Sequence, residues 1–422
     1  MDTAVPRGKR LRGEIVPPCS KSYAQRALAA SLLAKGRTVL RGIELCRDTR
    51  SAINAIEALG ARVEIINENT IAIEGGLKPR TNNLHVGESG LAARLFTPIA
   101  ALHSSPICIS GEGTLLHRPM SMMIDPLQEL GVELRDGGGR LPIEVCGPMR
   151  GGRVKVDGSM SSQFVTGLLI ALPVAQRDTT IEVHGAVSTP YIDMTLDTLE
   201  RFGVEVMYNE GDYSQFYIEG GQQYKAIDYT IESDWSAAAM IMVAAAIAGE
   251  VRVTNLSTLS RQADTAICRA LERAGASLII EQSAITVAHR HLEAFTFDAT
   301  HCPDLFPALV ALAAASEGVS TIRGIGRLRG KESDRGEVLR EEYAKLGIDV
   351  ELDYDDDVMR VVGGTPHVAR VDSHDDHRIA MSLAITGLRI NEELDIQNRE
   401  CVAKSYPSFF DDLEQLKTSE CE

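Results

Sequence analysis

Tryptophan occurs once in this chain, aromatic residues make up only 5% of it, and Lys and Arg (43) are outnumbered by Asp and Glu (59), for a formal net charge of −16. A nucleic-acid binder needs a basic footprint and rings on which bases stack, so that class is excluded, whereas a small anion held in a local basic cleft is not. The stretch MDTAVPRGKRLRGEIVPP has no apolar core of the kind a signal peptide needs, so export is not expected and the cytoplasm is the expected compartment. The longest apolar run, 237–248, is too short to span a bilayer. No CxxC pair occurs among the eight cysteines, at 19, 46, 108, 146, 268, 302, 401 and 421, which therefore read as reduced thiols rather than disulfides or zinc ligands.

What the chain does have is a repeat. At 422 residues it is too long for one ordinary core, and two domains of roughly 200 residues are expected. A helix-to-strand junction recurs as ALGARVEI, ELGVELRD, RFGVEVMY, RAGASLII and KLGIDVEL, its glycines at 60, 131, 203, 275 and 347, spaced by 71, 72, 72 and 72 residues. Each glycine suits a helix C-cap, where a left-handed backbone is needed. A short strand, a polar turn and a second strand follow, which predicts hairpins.

A second helix type recurs six times, starting at Lys21-Ser22, Glu88-Ser89-Gly90, Ser161-Ser162-Gln163, Asp234-Trp235-Ser236, Asp304 and Asp376-His377-Arg378. Each start leads into a small-residue apolar run, and a helix apolar nearly all round is a buried one. The unit thus reads as βαβαββ, present six times at about seventy residues each. Strand 10–16 has no unit of its own and the last unit lacks closing strands, so pairing that strand with the C-terminal units is expected to complete both. The expected division is one domain over 20–232 and another over 1–19 plus 233–422. Two crossings of this kind permit domain closure over a ligand.

Six buried helices whose N-termini point the same way would present positive dipole ends to the space between two such domains. The residues at helix starts are of functional types. Lys21 sits where the backbone field disfavours a cation, with Ser22 and Arg26 four residues apart on one face, an arrangement that suits a bound anion or a solvated helix start. Ser161-Ser162-Gln163 is either an N-cap cluster or a ligand-binding edge. Arg327, Arg329, Lys331 and Arg335 make a basic patch in an acidic chain, although Ser333 and Asp334 also suit the cap of a following helix. His374 and His377 have an HxxH spacing that makes a metal thinkable, but no second histidine or cysteine cluster matches it. Asp304 is either a cap or a carboxylate placed for general-base work.

The segments PPCSKSYAQRAL, GESGLAAR, HRPM, SMSSQF, STPYID, PDLFPAL, RGKESDR, DDHRIAM and AKSYPSFF, in this order over essentially the whole chain, resemble the 5-enolpyruvylshikimate-3-phosphate (EPSP) synthase family. The resemblance implies α/β architecture as a two-domain inside-out α/β barrel, each domain three βαβαββ repeats with buried parallel helices and a substrate cleft between. It implies transfer of the enolpyruvyl group of phosphoenolpyruvate to the 5-hydroxyl of shikimate 3-phosphate, in aromatic amino acid and chorismate biosynthesis, with no cofactor and no metal. The implied partners are those two small molecules, with neither nucleic acid nor membrane, and the implied state is a monomer.

Carried over by motif, Lys21, Ser22, Arg26, Ser161, Ser162, Gln163, Ser188, Tyr191, Asp304 and Lys331 are similar to the family's shikimate 3-phosphate contacts. Lys21, Gly90, Arg118, Gln163, Arg335, Arg378 and Lys404 are similar to its phosphoenolpyruvate contacts. The same resemblance makes Asp304 the base for the 5-hydroxyl and gives Glu332, with Lys21, the proton at C3. The 20–232 domain would serve mainly shikimate phosphate, and the other would close over phosphoenolpyruvate. The chain departs from the family where Glu88 and Leu91 replace an Asn-Ala-Gly-Thr pattern, at Cys19, and at Arg327. The related UDP-N-acetylglucosamine enolpyruvyl transferases carry a loop cysteine before an Arg-Pro, and 111–117 contains none. A non-catalytic binder of phosphorylated metabolites would not need Asp304 and Glu332 among the cations.

Overall fold

A computed structural model describes residues 9–418. The chain forms two compact units, one of Cys19–Glu232 and one in which the residues up to Pro18 join those from Ser233 onward. Both are mixed α/β structures with parallel and antiparallel strand pairs. No helix among the described residues is long and apolar enough to cross a membrane.

The Cys19–Glu232 unit carries three four-stranded sheets of one topology. Their strand orders are Asp228–Thr230, Arg37–Arg41, Thr70–Glu74, Arg62–Asn67; Asn83–His85, Ile107–Ser110, Ile143–Cys146, Glu133–Asp136; and Arg153–Asp157, Thr179–His184, Gln215–Ile218, Met207–Tyr208. In each the first pair is parallel and the rest antiparallel. A parallel pair needs a crossover, and a helix provides it in the second and third sheets, whereas in the first the parallel partner of Arg37–Arg41 comes from the far end of the unit. Three helices, α1 (Lys21–Leu33), which precedes Arg37–Arg41, and the crossovers α2 (Gly90–Ala100) and α3 (Ser162–Ala171), are mostly or wholly buried. Helix α2 packs on both α1 and α3. The α2–α3 approach is close because of Gly167, where an added Cβ would lie 2.3 Å from the Arg94 carbonyl oxygen.

The other unit repeats the pattern with α4 (Trp235–Ala248), α5 (Phe306–Ala315) and α6 (His377–Thr386), which pack on one another. Every residue of α4 except Ser236 is buried, so packing rather than amphipathicity holds it in place. Two four-stranded sheets have the same topology as before, and a sixth element is only the parallel pair Arg370–Asp372 with Asp395–Gln397. The lone N-terminal strand, Leu11–Ile15, does not supply the missing hairpin. It pairs in parallel with Gly249–Thr254 as the leading strand of the α4 sheet, and its other edge makes a single antiparallel bridge from Leu11 to Lys417.

The five junction glycines, Gly60, Gly131, Gly203, Gly275 and Gly347, have φ of 121°, 85°, 73°, 87° and 78°. Each follows a helix end and enters a hairpin, and a side chain there would strain the left-handed backbone. No two cysteines are bridged among the described residues, and Cys421 lies outside them.

Candidate active site

In the unit containing α4 to α6, Asp304 lies in the 3-10 turn Pro303–Leu305 that leads into α5. It is not the cap of that helix, whose N-cap position is Leu305. Its Oδ1 accepts hydrogen bonds from Arg335 Nη1 at 2.7 Å and Lys331 Nζ at 3.2 Å, and its Oδ2 accepts from Arg378 Nη2 at 3.3 Å. Arg335 is fully buried and grips two further carboxylates, donating from Nε to Asp376 Oδ2 at 2.7 Å and from Nη2 to Glu332 Oε2 at 2.6 Å. Asp376 in turn caps α6 by accepting from the Arg378 N–H at 3.0 Å.

The expected cap role of Ser333 and Asp334 does not hold. Asp334 occupies the N-cap position of helix Arg335–Lys345 without a side-chain cap bond, while Ser333 Oγ donates to Asp376 at 3.2 Å. Asp376 accepts from both Ser333 and the Arg335 guanidinium, so the Ser333 hydroxyl is spent on that carboxylate rather than on the helix start. Of the remaining basic patch, Arg329 lies over the Tyr354 ring at 4.2 Å, and Arg327 ends a 3-10 turn. Lys404 is buried at the end of the 3-10 turn Arg399–Lys404.

The charges set one another. Burial opposes the Asp304 charge, yet Arg378, Lys331 and Arg335 together hold its carboxyl well below the usual carboxylate range. Burial also opposes the Arg335 charge, and Asp376, Glu332 and Asp304 outweigh it. Lys331 is shifted down, by burial first, despite Asp304.

A carboxylate that the sequence pattern does not flag belongs to this cluster. Asp264 is buried, accepts from the Ser236 hydroxyl through Oδ2, and has no hydrogen-bond partner on Oδ1 among the described residues. Burial, and then the charge of Asp304, push it up to about 7, against the pull of Arg378 and Ser236. Folding therefore holds a proton that the unfolded chain gives up, and the associated stability is present in acid and lost as pH rises from the ordinary carboxylate range through about 7. Asp304 has the opposite sign, stabilising above the ordinary range and losing that contribution as pH falls. Asp264→Asn is accordingly expected to raise Tm above pH 7 by about 3 °C, with the gain shrinking as pH falls and vanishing only below about pH 4, in thermal melts run across that interval.

In the Cys19–Glu232 unit, Ser20 caps α1 by accepting from the Tyr23 N–H, and Lys21 in the first turn is neutralised by Asp48 at 3.1 Å. Arg26 is 1% exposed. It donates to the Ser22 carbonyl at 2.8 Å, Thr195 Oγ1 at 3.0 Å, the Tyr191 carbonyl at 2.9 Å and Thr166 Oγ1 at 3.3 Å, and burial pushes its pKa down to about 10. The structure thus joins Ser22, Arg26 and Tyr191, with Arg26 as the organiser beneath them. Ser188, whose carbonyl accepts from the Tyr191 N–H, holds a left-handed φ of 54°, a conformation kept only where the surroundings impose it.

A second group in this unit surrounds α2 and α3. Ser161 caps α3, accepting from the Gln163 N–H at 3.2 Å, and Ser162 is buried behind it. Gln163 Oε1 accepts from Arg94 Nη1 at 2.7 Å, and Arg94 Nη2 donates to the Pro119 carbonyl at 2.9 Å, beside Arg118. A Cβ on Gly90 would sit 2.3 Å from Arg118 Nη1, so glycine is what lets that guanidinium lie on the start of α2. Glu88 lies against Gly113, and the Cys19 thiol accepts from the Glu44 N–H at 3.1 Å.

The model of a family described as EPSP synthase (3-phosphoshikimate 1-carboxyvinyltransferase) matches residues 5–413. This chain belongs to the EPSP synthase family. Every residue of the candidate site described above lies inside the matched span. The chain is 36% identical over 416 residues to the 3-phosphoshikimate 1-carboxyvinyltransferase of Clostridium perfringens strain SM101, with 96% of each chain covered. It is 39% identical over 407 residues to the enzyme of that name from Thermococcus kodakarensis, covering 96% of this chain and 98% of that one. The solved EPSP synthase of Acinetobacter baumannii superposes with a TM-score of 0.81 at 27% identity, covering 98% of this chain and 97% of that chain. As a member of the EPSP synthase family the protein is a transferase.

Proposed function

We propose that the protein transfers the enolpyruvyl group of phosphoenolpyruvate to the 5-hydroxyl of shikimate 3-phosphate and releases phosphate, a step of aromatic amino acid and chorismate biosynthesis. Family membership supports this reading, and the structural observation that carries it is the clamp of Arg335, Arg378 and Lys331 on Asp304. Both substrates are polyanions, so cations must be gathered for them, and a base must be kept among those cations for the hydroxyl proton. Ser22, Arg26, Ser161, Ser162, Gln163, Ser188, Tyr191 and Lys331 are assigned to shikimate 3-phosphate. Gly90, Arg118, Gln163, Arg335, Arg378 and Lys404 are assigned to phosphoenolpyruvate, and Lys21 to both.

The oxygen at C5 bonds to C2 of phosphoenolpyruvate while C3 gains a proton, giving a tetrahedral intermediate. The C2–O bond to phosphate then breaks and C3 gives its proton back. Asp304 takes the hydroxyl proton, and Glu332 with Lys21 serves C3. With its carboxyl held low by three cations, Asp304 is a weak base in the free protein. Substrate phosphate and carboxylate compete for those cations, and their partial withdrawal raises the basicity of Asp304 when the hydroxyl is in place. The finer architecture assigned with this function is the two-domain inside-out barrel of three βαβαββ repeats per domain, working as a cytoplasmic monomer.

Phosphate release from phosphoenolpyruvate decides between acceptors. Release is expected with shikimate 3-phosphate and not with UDP-N-acetylglucosamine or without acceptor. Release only with the nucleotide sugar would reassign the acceptor, and release with neither would leave a binding protein.

A further inference from the structure

Helix Arg335–Lys345 carries a second buried charge seven residues beyond Arg335, two turns along the same face. Glu342 is 1% exposed. Its Oε1 accepts from His374 Nε2 at 2.9 Å and Lys345 Nζ at 2.7 Å, and its Oε2 accepts from the Asp372 N–H at 2.9 Å and from Lys345 Nζ at 2.8 Å. Burial would raise its pKa, but these bonds outweigh burial and keep it ionised.

The segment it grips is unusual. His374 and Asp375 have φ of 51° and 55°, two consecutive non-glycine residues in the left-handed region, which persist only where contacts impose them. The next residue is Asp376, which holds Arg335 on one side and the Arg378 N–H on the other. The same turn also binds Asn398, whose Nδ2 donates to Asp372 Oδ1 at 3.0 Å and which precedes the 3-10 turn ending at Lys404. One buried carboxylate therefore fixes a strained turn that leads into Asp376, the holder of Arg335 and of the Arg378 N–H, and that is tied through Asn398 to the start of the 3-10 turn ending at Lys404; these are the three cations of this unit assigned to phosphoenolpyruvate.

We propose that Glu342, acting through His374 and Asp372, is a positioning residue for the phosphoenolpyruvate side of the site. The proposal rests on the function proposed above. A clip serving only the fold would need neither a strained turn nor a shared link to all three cations. Relaxing the turn moves Asp376, and with it Arg335 and Arg378, whereas Lys331 bonds Asp304 rather than Asp376 and the shikimate-phosphate residues of the other unit are untouched by these bonds.

The test uses Glu342→Gln, which keeps shape and removes charge, and His374→Asn, which tolerates a left-handed backbone but cannot reach Glu342. With both substrates varied, each variant is expected to raise KM for phosphoenolpyruvate roughly tenfold or more while KM for shikimate 3-phosphate stays within about twofold. The double variant should be no worse than the poorer single one, because the pair acts as a unit. Unchanged KM for phosphoenolpyruvate in an active protein overturns the proposal, as does a loss that affects both substrates equally and tracks Tm. Failure of the wild-type protein to release phosphate would instead overturn the assigned reaction.

Discussion

Arg335→Ala is expected to destabilise the unit that contains it by roughly 3–5 kcal/mol, the largest effect of any single replacement at the site. The side chain is fully buried and in contact with Asp304, Glu332 and Asp376, so its removal leaves three carboxylates facing one another with Lys331 and Arg378 as the remaining nearby cations. Truncating one partner of a buried network costs far more than the network contributes net, because the others stay desolvated. Arg335→Lys keeps the charge, but a compact ammonium cannot span three carboxylates in one plane, and an intermediate loss is expected. Urea melts of the three proteins should rank wild type above lysine above alanine. An alanine variant that melts with wild type would show that the cluster carries no stability.

The second large effect is on turnover. Asp304→Asn is expected to slow phosphate release by about a thousandfold, the scale of a lost general base, while both substrates still bind by calorimetry. Stability should fall less than for Arg335→Ala, since Arg335 keeps Asp376 and Glu332. Near-normal turnover would remove Asp304 from the chemistry, and loss of the fold would make it a structural anion.

The architecture was legible where backbone geometry dictates the residue. Five glycines about 72 residues apart mark five left-handed helix ends, and apolar runs without a polar face mark the buried helices. The cations of the site were legible for a similar reason, since an acidic chain has little other cause to group Lys331, Arg335 and Arg378 near helix starts. Beyond Asp304 and Glu332, their counter-charges were not. Asp48 with Lys21, Asp376 with Arg335, and Asp264 beside Ser236 are pairings made by tertiary packing between segments far apart in sequence, and an isolated Asp in a polar stretch carries no local signal of them. Ser333 and Asp334 misled for the converse reason, because a sound local cap signal gave way to a tertiary bond from Ser333 to Asp376 and left Asp334 at the N-cap position without a side-chain bond. Arg26 suits a bound anion or a solvated helix start by its spacing, yet its neutral acceptors, Thr166, Thr195 and two carbonyls, are visible only once the helices are packed.

The placement of strand Leu11–Ile15 has a consequence for biosynthesis. Its partner, Gly249–Thr254, is translated only after the whole Cys19–Glu232 unit, which at ribosomal speeds of roughly 5–20 residues per second is a wait of ten seconds or more. During that time the strand emerges with unsatisfied edges and no sheet to join. Its composition suits the wait: LRGEI alternates charge with small and apolar residues, and Lys9, Arg10 and Arg12 flank or interrupt it, which discourages pairing with another nascent chain. The intervening unit can fold to completion first, so a strand made before that unit is among the last to find its place.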